Sequence, residues 1–230
     1  AFLEYPSVIA TLASDEPKPG ELDALKASYE KIMQTSGKPV TTCMVGEGTG
    51  LGGPSDPVNL WRGLDARVRA FRWYGIKKSY YGILRDLKYK GMLPLGSVMQ
   101  IVELSDDSPW WFVPPSFGAT HHEGYFHNPT PAEMRGLMHM AMAHGADGLM
   151  LWCLQSWGRW PALIQPKSLK PADGKLQAAA EVARLIGRHA DLLAGLRYGA
   201  FEIRNSNPVF MEAVPRRTAA GATYIYAVNK

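Results

Sequence analysis

The feature that most constrains the fold is an alternation of strand and helix patterns along most of the chain. Short apolar runs predict strands at about 7–13, 40–45, 76–83, 95–104 and 148–154. Between them, apolar residues that recur every three or four positions predict helices at about 20–36, 58–74, 131–144 and 172–194. Gly37 fits the end of the first helix, and Thr130 and Glu133 predict a capping box at the start of the third. The aromatic run Trp110–Phe112 is expected in a long loop before that helix. Strands that alternate with helices in this way favour a parallel sheet of the α/β class.

The pattern changes after Gly195, where the apolar residues begin to alternate along the chain with a period of about 2. We predict short strands at 201–204, 209–214 and 223–228. A domain boundary is therefore expected between residues 1–196 and residues 197–230. The second part is shorter than the roughly 40 residues that a lone domain usually needs. We expect it to be a short antiparallel β segment that packs on the first part or begins a β-sandwich.

Five parallel strands do not make a complete closed sheet. A (β/α)8 barrel has eight strands and about 250 residues, and five units alone leave an unpaired edge that invites aggregation. Two architectures stay open, namely an open doubly wound sheet and a partial (β/α)8 TIM barrel without its first three units. The chain opens on Ala1 without an initiator methionine, so we expect a segment upstream.

Composition excludes several classes of function. The net charge is +4, but the basic residues are dispersed, and we predict no nucleic-acid partner. No apolar run reaches the roughly 18–20 residues of a membrane span, so no membrane partner is predicted. Cys43 and Cys153 lie in apolar runs and are predicted to be buried free thiols. Histidines 121, 122 and 127 match no zinc spacing, and we predict neither a metal nor a cofactor.

Two adjacent carboxylates, Asp15 and Glu16, follow the first predicted strand. Pro17 and Pro19 then end that strand before the first helix pattern begins. Enzymes of the α/β class keep their chemistry at the carboxyl ends of buried strands, so this pair is a candidate catalytic site. The alternative is that both acids stabilise the amino terminus of the following helix, where negative charge is favourable.

Several segments together resemble TIM-barrel glycoside hydrolases. The stretch PSVIATLASDEP, then a helix and Lys38-Pro39-Val40, resembles the fourth βα unit of these enzymes. The stretch PTPAEMRGLMHMAMAHGADGLMLW resembles their last helix and strand pair, and LQAAAEVARLIGRHADLLAG resembles the helix that closes the barrel. ATYIYAVN resembles a strand of the β-sandwich that commonly follows. The resemblance covers about 1–45 and 128–230, and it implies strands four to eight of a barrel.

The resemblance implies that Glu16 is the general acid/base of a glycoside hydrolase, with Asp15 beside it. Most such enzymes need a second carboxyl group across the scissile bond. The corresponding position at the end of the strand over 95–104 is Gln100, and the best available carboxylate is Glu103. Alternation puts residues 100 and 103 on opposite faces unless a bulge intervenes. Three mechanisms stay open: Glu103 serves, the substrate assists with Asp15 orienting it, or the site binds sugar without cleaving it.

Aromatic and polar side chains near the later strands fit a sugar site. Indole rings stack on the apolar faces of sugars, and the indole N–H remains a hydrogen-bond donor. The alternative for Trp152, which lies within a predicted strand, is a place in the core. The candidate substrate-binding residues are Tyr80, Tyr81, Gln100, Trp110, Trp111, His121, Trp152, Gln155 and Trp157.

The sequence thus predicts a glycoside hydrolase that acts on an oligo- or polysaccharide. The alternatives are a non-catalytic carbohydrate-binding or degenerate barrel protein, and an α/β domain with unrelated chemistry. A carbohydrate is the expected partner. Either the missing amino-terminal half of the barrel or a second copy is expected to complete the fold.

Overall fold

The computed structural model describes residues 5–8, 10–15, 17, 19–45, 68–72, 109–114, 128–156, 162–199, 201, 203–204 and 211–229. The strands are β1 (Thr11–Asp15), β2 (Val40–Val45), β3 (Val68–Arg72), β4 (Trp110–Val113), β5 (Gly148–Leu149), β6 (Arg197–Tyr198), β7 (Met211–Arg217) and β8 (Thr223–Asn229). The helices are α1 (Leu22–Ser36), α2 (Pro131–Ala143), α3 (Lys175–Arg188) and α4 (Ala190–Ala194).

The larger sheet contains five parallel strands in the order β1-β2-β3-β4-β5. Each described strand therefore lies beside its neighbour in the chain, and the order contains no reversal. The α/β class predicted from the alternation of patterns is confirmed. Among the described strands the sheet does not close, because β1 and β5 each pair on one side only.

Helix α1 illustrates how local signals set an element's ends. A short 3-10 turn at Pro19–Glu21 leads into it, and Leu25 and Tyr29 are its buried residues. Gly37 ends it with φ of 64°, a left-handed conformation that glycine adopts without strain, and its N–H donates to the Met33 carbonyl at 2.9 Å. The helix predicted at 20–36 is confirmed.

Two predicted elements are corrected by the structure. The helix predicted at 58–74 is wrong over Val68–Arg72, which form β3 between β2 and β4. Apolar spacing cannot separate a helix from a strand in so short a segment, and pairing on both sides favours the strand. Trp110–Phe112, which we expected in a loop, belong to β4, whose unbroken apolar run is typical of a buried parallel strand.

These corrections change which strand adjoins β5. The neighbour of β5 is β4, and not a strand at 95–104. The strands predicted at 76–83 and 95–104 lie outside the described residues.

Helices α2 and α3 pack together over β5. The predicted capping box at the start of α2 is confirmed: the Glu133 backbone N–H donates to the Thr130 hydroxyl at 3.2 Å, and the Glu133 carboxylate accepts from the Thr130 backbone N–H at 2.8 Å. The helix predicted at 172–194 is divided into α3 and α4 at His189. The core between the helices and the sheet is built from Met134, Met138, Leu163, Ala179 and Val182, with Leu149 and Leu151 of the β5 segment against it.

The second sheet is antiparallel, in the order β6-β7-β8, and begins directly after the buried Leu196. Two histidines, one in α2 and one directly after its last residue, contact this sheet. His139 Nδ1 lies 3.0 Å from the Tyr226 hydroxyl of β8, and His144 Nε2 lies 2.7 Å from the Glu212 carboxylate of β7. The predicted antiparallel segment is therefore present, although its first strand lies at 197–198 and not at 201–204.

The contact between His139 and Tyr226 predicts a pH dependence of stability. Burial, and after it the nearby Arg135 guanidinium, lower the pKa of His139 below its ordinary value. Between the folded-state pKa and about 6.5, the unfolded chain binds the proton more readily, so the free energy of unfolding falls as the pH drops through that window. In the described part of the chain, Tyr226 and Arg135 are the ionisable groups shown beside His139, and Arg135 in turn pairs with the Glu181 carboxylate at 3.3 Å.

Urea unfolding between pH 7 and pH 5 measures this effect. We expect the wild type to lose more stability on acidification than His139→Gln, which has no titrating ring. His189→Gln removes an exposed histidine and serves as the matched control. An equal loss in the wild type and His139→Gln would contradict the assignment.

Candidate functional site

Side chains at β4 and β5 separate onto two faces of the sheet. Leu149 and Leu151 pack against the core under α2 and α3. The alternating residues Met150 and Trp152 instead pack with Trp111 and Val113. Since successive side chains of a strand point to opposite faces, Trp111 and Trp152 share the face that lies away from the helices.

The indole of Trp111 lies directly over Gly148 of the neighbouring strand. A Cβ atom at residue 148 would come within 2.8 Å of the Trp111 indole Cδ1 and Nε1 atoms, closer than real Cβ atoms approach. The two residues pair in the register of β4 and β5. Glycine at this position therefore allows the indole ring to lie across the start of β5.

The strand register connects Asp15 with Trp111. Asp15 pairs with Cys43, Cys43 with Ala70, Ala70 with Trp111, and Trp111 with Gly148. The backbone of Asp15, the last residue of β1, therefore stands in the same row across the sheet as Trp111. At a strand spacing of about 4.8 Å the two residues are roughly 14 Å apart along a flat sheet, and curvature would bring them closer.

Trp110 has a different environment from Trp111. Its side chain is 2% exposed, and strand alternation places it on the helix side of the sheet. The aromatic run at the start of β4 thus divides into one core residue and one residue on the opposite face. Trp110 is not part of the candidate site, whereas Trp111 and Trp152 are both only partly buried.

The segment after β5 forms an ordered rim that carries Gln155. Gln155 bridges to Ile164, and Ile164 bridges in turn to Pro171. Backbone hydrogen bonds of 2.9 Å run from Ser156 N to Ile164 O and from Ile164 N to Leu154 O. The exposed Gln155 side chain therefore stands on a fixed backbone close to Trp152 in the chain.

A buried lysine lies behind this rim. Lys175, in the first turn of α3, is completely buried, and its Nζ lies 3.1 Å from the Asp173 carboxylate and donates to the Asn128 side-chain oxygen. Burial lowers the pKa of Lys175, and burial raises the pKa of the nearby Cys153 thiol. Sequence reasoning missed this group. The available signal was that Lys175 falls on the apolar stripe of α3, seven residues before the buried Val182.

Many of the predicted site residues lie outside the described residues, and their roles stay predictions. Of Asp15 only the backbone is described. The predicted site residues outside the description are Glu16, Tyr80, Tyr81, Gln100, Glu103, His121 and Trp157. Cys153 is a buried free thiol, as predicted.

Two cavities among the described residues lie on the helix side of the larger sheet. An apolar groove of about 480 Å³ runs between α2, β5 and α3. A second cavity of about 500 Å³ lies between α2, α3 and β8, and Arg135, His139 and Tyr226 line part of it. None of the described residues that line either cavity is a tryptophan. In the described part of the chain, no group of three His, Cys, Asp or Glu residues is placed to hold a metal ion, and no helix has the length and apolar character to cross a bilayer.

Comparison with solved structures finds β-galactosidases, although no family model and no curated protein matches the chain. The β-galactosidase of the psychrophilic Marinomonas ef1 is similar over 77% of this chain and 29% of its own, with a TM-score of 0.54 and 18% identity. That of the Antarctic haloarchaeon Halorubrum lacusprofundi is similar over 82% and 29%, with a TM-score of 0.43 and 19% identity. The chain thus spans under a third of either enzyme. At this identity the Marinomonas likeness shows a shared fold over the matched residues, and the likeness by itself shows nothing of activity.

Proposed function

We propose that this chain is the carboxyl-terminal part of a TIM-barrel glycoside hydrolase that acts on an oligo- or polysaccharide. On this proposal residues 1–196 supply strands four to eight of the barrel, and residues 197–230 begin a β-sandwich. The observation that carries the proposal is the position of Trp111 and Trp152. Both lie on the sheet face away from the helices, and Trp111 shares its row with the last residue of β1.

The strand order supports a barrel over a doubly wound sheet. Parallel crossovers are right-handed, so strands added always in the same direction place all their helices on one face. A doubly wound sheet reverses its strand order and covers both faces. Here the order has no reversal among the described strands, and α2 and α3 lie on the face opposite Trp111 and Trp152. Further strands between the free edges of β1 and β5, from the same polypeptide or a second copy, would close the sheet.

On this proposal the two indoles are the platform for a sugar ring. A ring stacked on an indole buries its C–H face, and its hydroxyls stay available to polar groups such as the Gln155 amide. Glu16 would donate a proton to the glycosidic oxygen, and Asp15 would orient the substrate or the acid. The likeness to β-galactosidases makes β-galactosides the first substrates to test.

Non-catalytic carbohydrate binding is the second candidate function, and one observation favours it. Strand β4, the neighbour of β5, ends at Val113 and is followed by Pro114, and neither residue carries a carboxylate. A second carboxyl group across the bond is the usual requirement for hydrolysis. Such a platform would still bind sugar through Trp111 and Trp152.

A panel of nitrophenyl glycosides and the matching free sugars tests both candidates. Nitrophenol release by the wild type, together with slower cleavage of the same or a less activated glycoside by Glu16→Gln, would support a hydrolase. Binding by calorimetry without any release would support the non-catalytic alternative. If no sugar in the panel binds and none is cleaved, both candidates are overturned.

A further inference from the structure

We propose that Asn128, Asp173 and Lys175 form a latch behind the carboxyl end of β5, and that Lys175 is the positioning residue that keeps the Trp152–Gln155 segment in place. The three residues come from two separate parts of the chain. Asn128 lies just before α2, and Asp173 and Lys175 flank the start of α3. The latch therefore joins the amino ends of both helices.

The latch is a closed set of polar contacts. Lys175 Nζ lies 3.1 Å from Asp173 Oδ2 and donates to Asn128 Oδ1. Asn128 Nδ2 in turn donates to the same Asp173 oxygen at 3.1 Å. Asp173 Oδ1 also accepts from the Lys175 backbone N–H at 3.4 Å. Each member thus contacts the other two, although Asp173 remains one-third exposed while Lys175 is completely buried.

Backbone contacts join the latch to the Trp152–Gln155 segment. Pro171, two residues before Asp173, bridges to Ile164, and Ile164 bridges to Gln155 and donates its N–H to the Leu154 carbonyl at 2.9 Å. Within the segment, the Cys153 thiol donates to the Gln155 carbonyl at 3.4 Å. Cys153 directly follows Trp152 in the chain. Because the latch fixes Asp173, it also fixes Pro171 and, through these bridges, the backbone on the carboxyl side of Trp152.

Burying an ammonium group costs free energy, so a lysine at this buried position of α3 is expected to have a specific structural role. A charged group taken out of water destabilises the fold unless it is paired and fully hydrogen-bonded. A leucine or methionine would fill the same stripe position of α3 without that cost. The ionic arrangement, unlike an apolar side chain, requires Asn128 and Asp173 to keep fixed positions relative to α3.

Alkylation of Cys153 by iodoacetamide in the full chain measures whether the latch holds this segment. Peptide mass spectrometry follows Cys153 and Cys43 separately. We expect Lys175→Met to raise the rate at Cys153 at least roughly tenfold by increasing local opening. Loss of the lysine charge alone would disfavour the thiolate and slow the reaction. A faster reaction in Lys175→Met would therefore show that the thiol is more accessible to the reagent, since the lost charge alone lowers its reactivity.

Two further variants complete the design. Lys175→Arg keeps the charge and the hydrogen-bond donors and is expected to react more slowly than Lys175→Met. Asn128→Ala removes the hydrogen bonds of Asn128 but leaves the ion pair, so we expect a smaller increase in the alkylation rate of Cys153. This variant still tests the latch if Lys175→Met does not fold. An unchanged rate at Cys153, or an equal increase at Cys43, which would indicate global unfolding, would overturn the latch.

The link to sugar binding rests on the proposed function and is tested apart from it. For a sugar that binds the wild type, folded Lys175→Met is expected to bind roughly tenfold more weakly, and Lys175→Arg is expected to restore binding. If Trp152→Ala leaves sugar binding unchanged, the proposal that Trp152 binds sugar is wrong, whereas the latch is still judged by the alkylation result. If Trp152→Ala loses binding and Lys175→Met keeps it, the positioning role fails and the platform stands.

Discussion

Glu16→Gln is expected to lower kcat/KM for a disaccharide substrate roughly 100- to 10,000-fold, the range that general acid–base catalysis contributes. The glutamine amide has nearly the same shape but cannot give a proton to the departing sugar oxygen. The measurement is steady-state hydrolysis of lactose and of nitrophenyl β-galactoside by the wild type and the variant. The first requirement is that the wild type cleaves at least one of them.

The two substrates separate an acid from a structural residue. Nitrophenolate leaves without prior protonation, so loss of the acid should cost less on the nitrophenyl substrate than on lactose. Glu30→Gln, an exposed change on α1, is the matched control and should leave both rates unchanged. Equal losses on both substrates, or no loss on lactose, would contradict the acid assignment of Glu16.

Asp173→Ala is expected to destabilise the fold by about 3 kcal/mol, at the lower end of the range for breaking a buried ion pair. The Lys175 ammonium would stay buried with Asn128 as its described partner, which is why the change should cost more than an ordinary surface substitution. The lower end applies because Asp173 is itself one-third exposed. Urea unfolding at pH 7 gives the free energy of unfolding.

Two comparisons identify the cause of that loss. Asp191→Ala removes an exposed acid from α4 and should change stability by less than about 0.5 kcal/mol. The double variant Asp173→Ala with Lys175→Met removes the unpaired charge as well, so it should be more stable than Asp173→Ala alone. A single variant no less stable than Asp191→Ala would show that the ion pair contributes little.

The parts of this fold that depend only on neighbouring residues, such as the ends of helices, were predicted from the sequence. The capping box of Thr130 and Glu133 and the stop at Gly37 need only neighbouring residues, and both are present as predicted. The β2 strand was predicted at 40–45 and begins and ends there. The parallel sheet followed from the alternation of patterns because short crossovers leave few other ways to bury both kinds of element.

The errors arose where pairing across the sheet outweighs local pattern. Val68–Arg72 carry a spacing that suits a helix as well as a strand, and their pairing with β2 and β4 decides for the strand. Trp110–Val113 looked like a loop because aromatics cluster there, yet a strand buried on both faces reads as an unbroken apolar run. Which of Trp110 and Trp111 faces the helices depended on these bounds, because a shift of one residue exchanges the two faces.

The latch and the two histidine contacts depend on residues far apart in the chain. Asn128 and Lys175 are separated by 47 positions, and His144 and Glu212 by 68. No spacing rule connects such pairs before the helices are packed. The sequence does show polar residues at positions where the pattern calls for apolar ones. These are a lysine on the apolar stripe of one helix and histidines on another helix that is patterned as core.

The measurement that tests the sugar platform most directly is a titration of ¹⁵N-labelled tryptophan side chains with the sugar that binds most tightly in the panel. The chain has seven tryptophans, so single Trp→Phe variants assign their indole N–H signals by NMR. We predict that the signals of Trp111 and Trp152 shift together with one dissociation constant, while that of the buried Trp110 stays in place. Saturation by sugar with the Trp111 and Trp152 signals unmoved would contradict the proposed site.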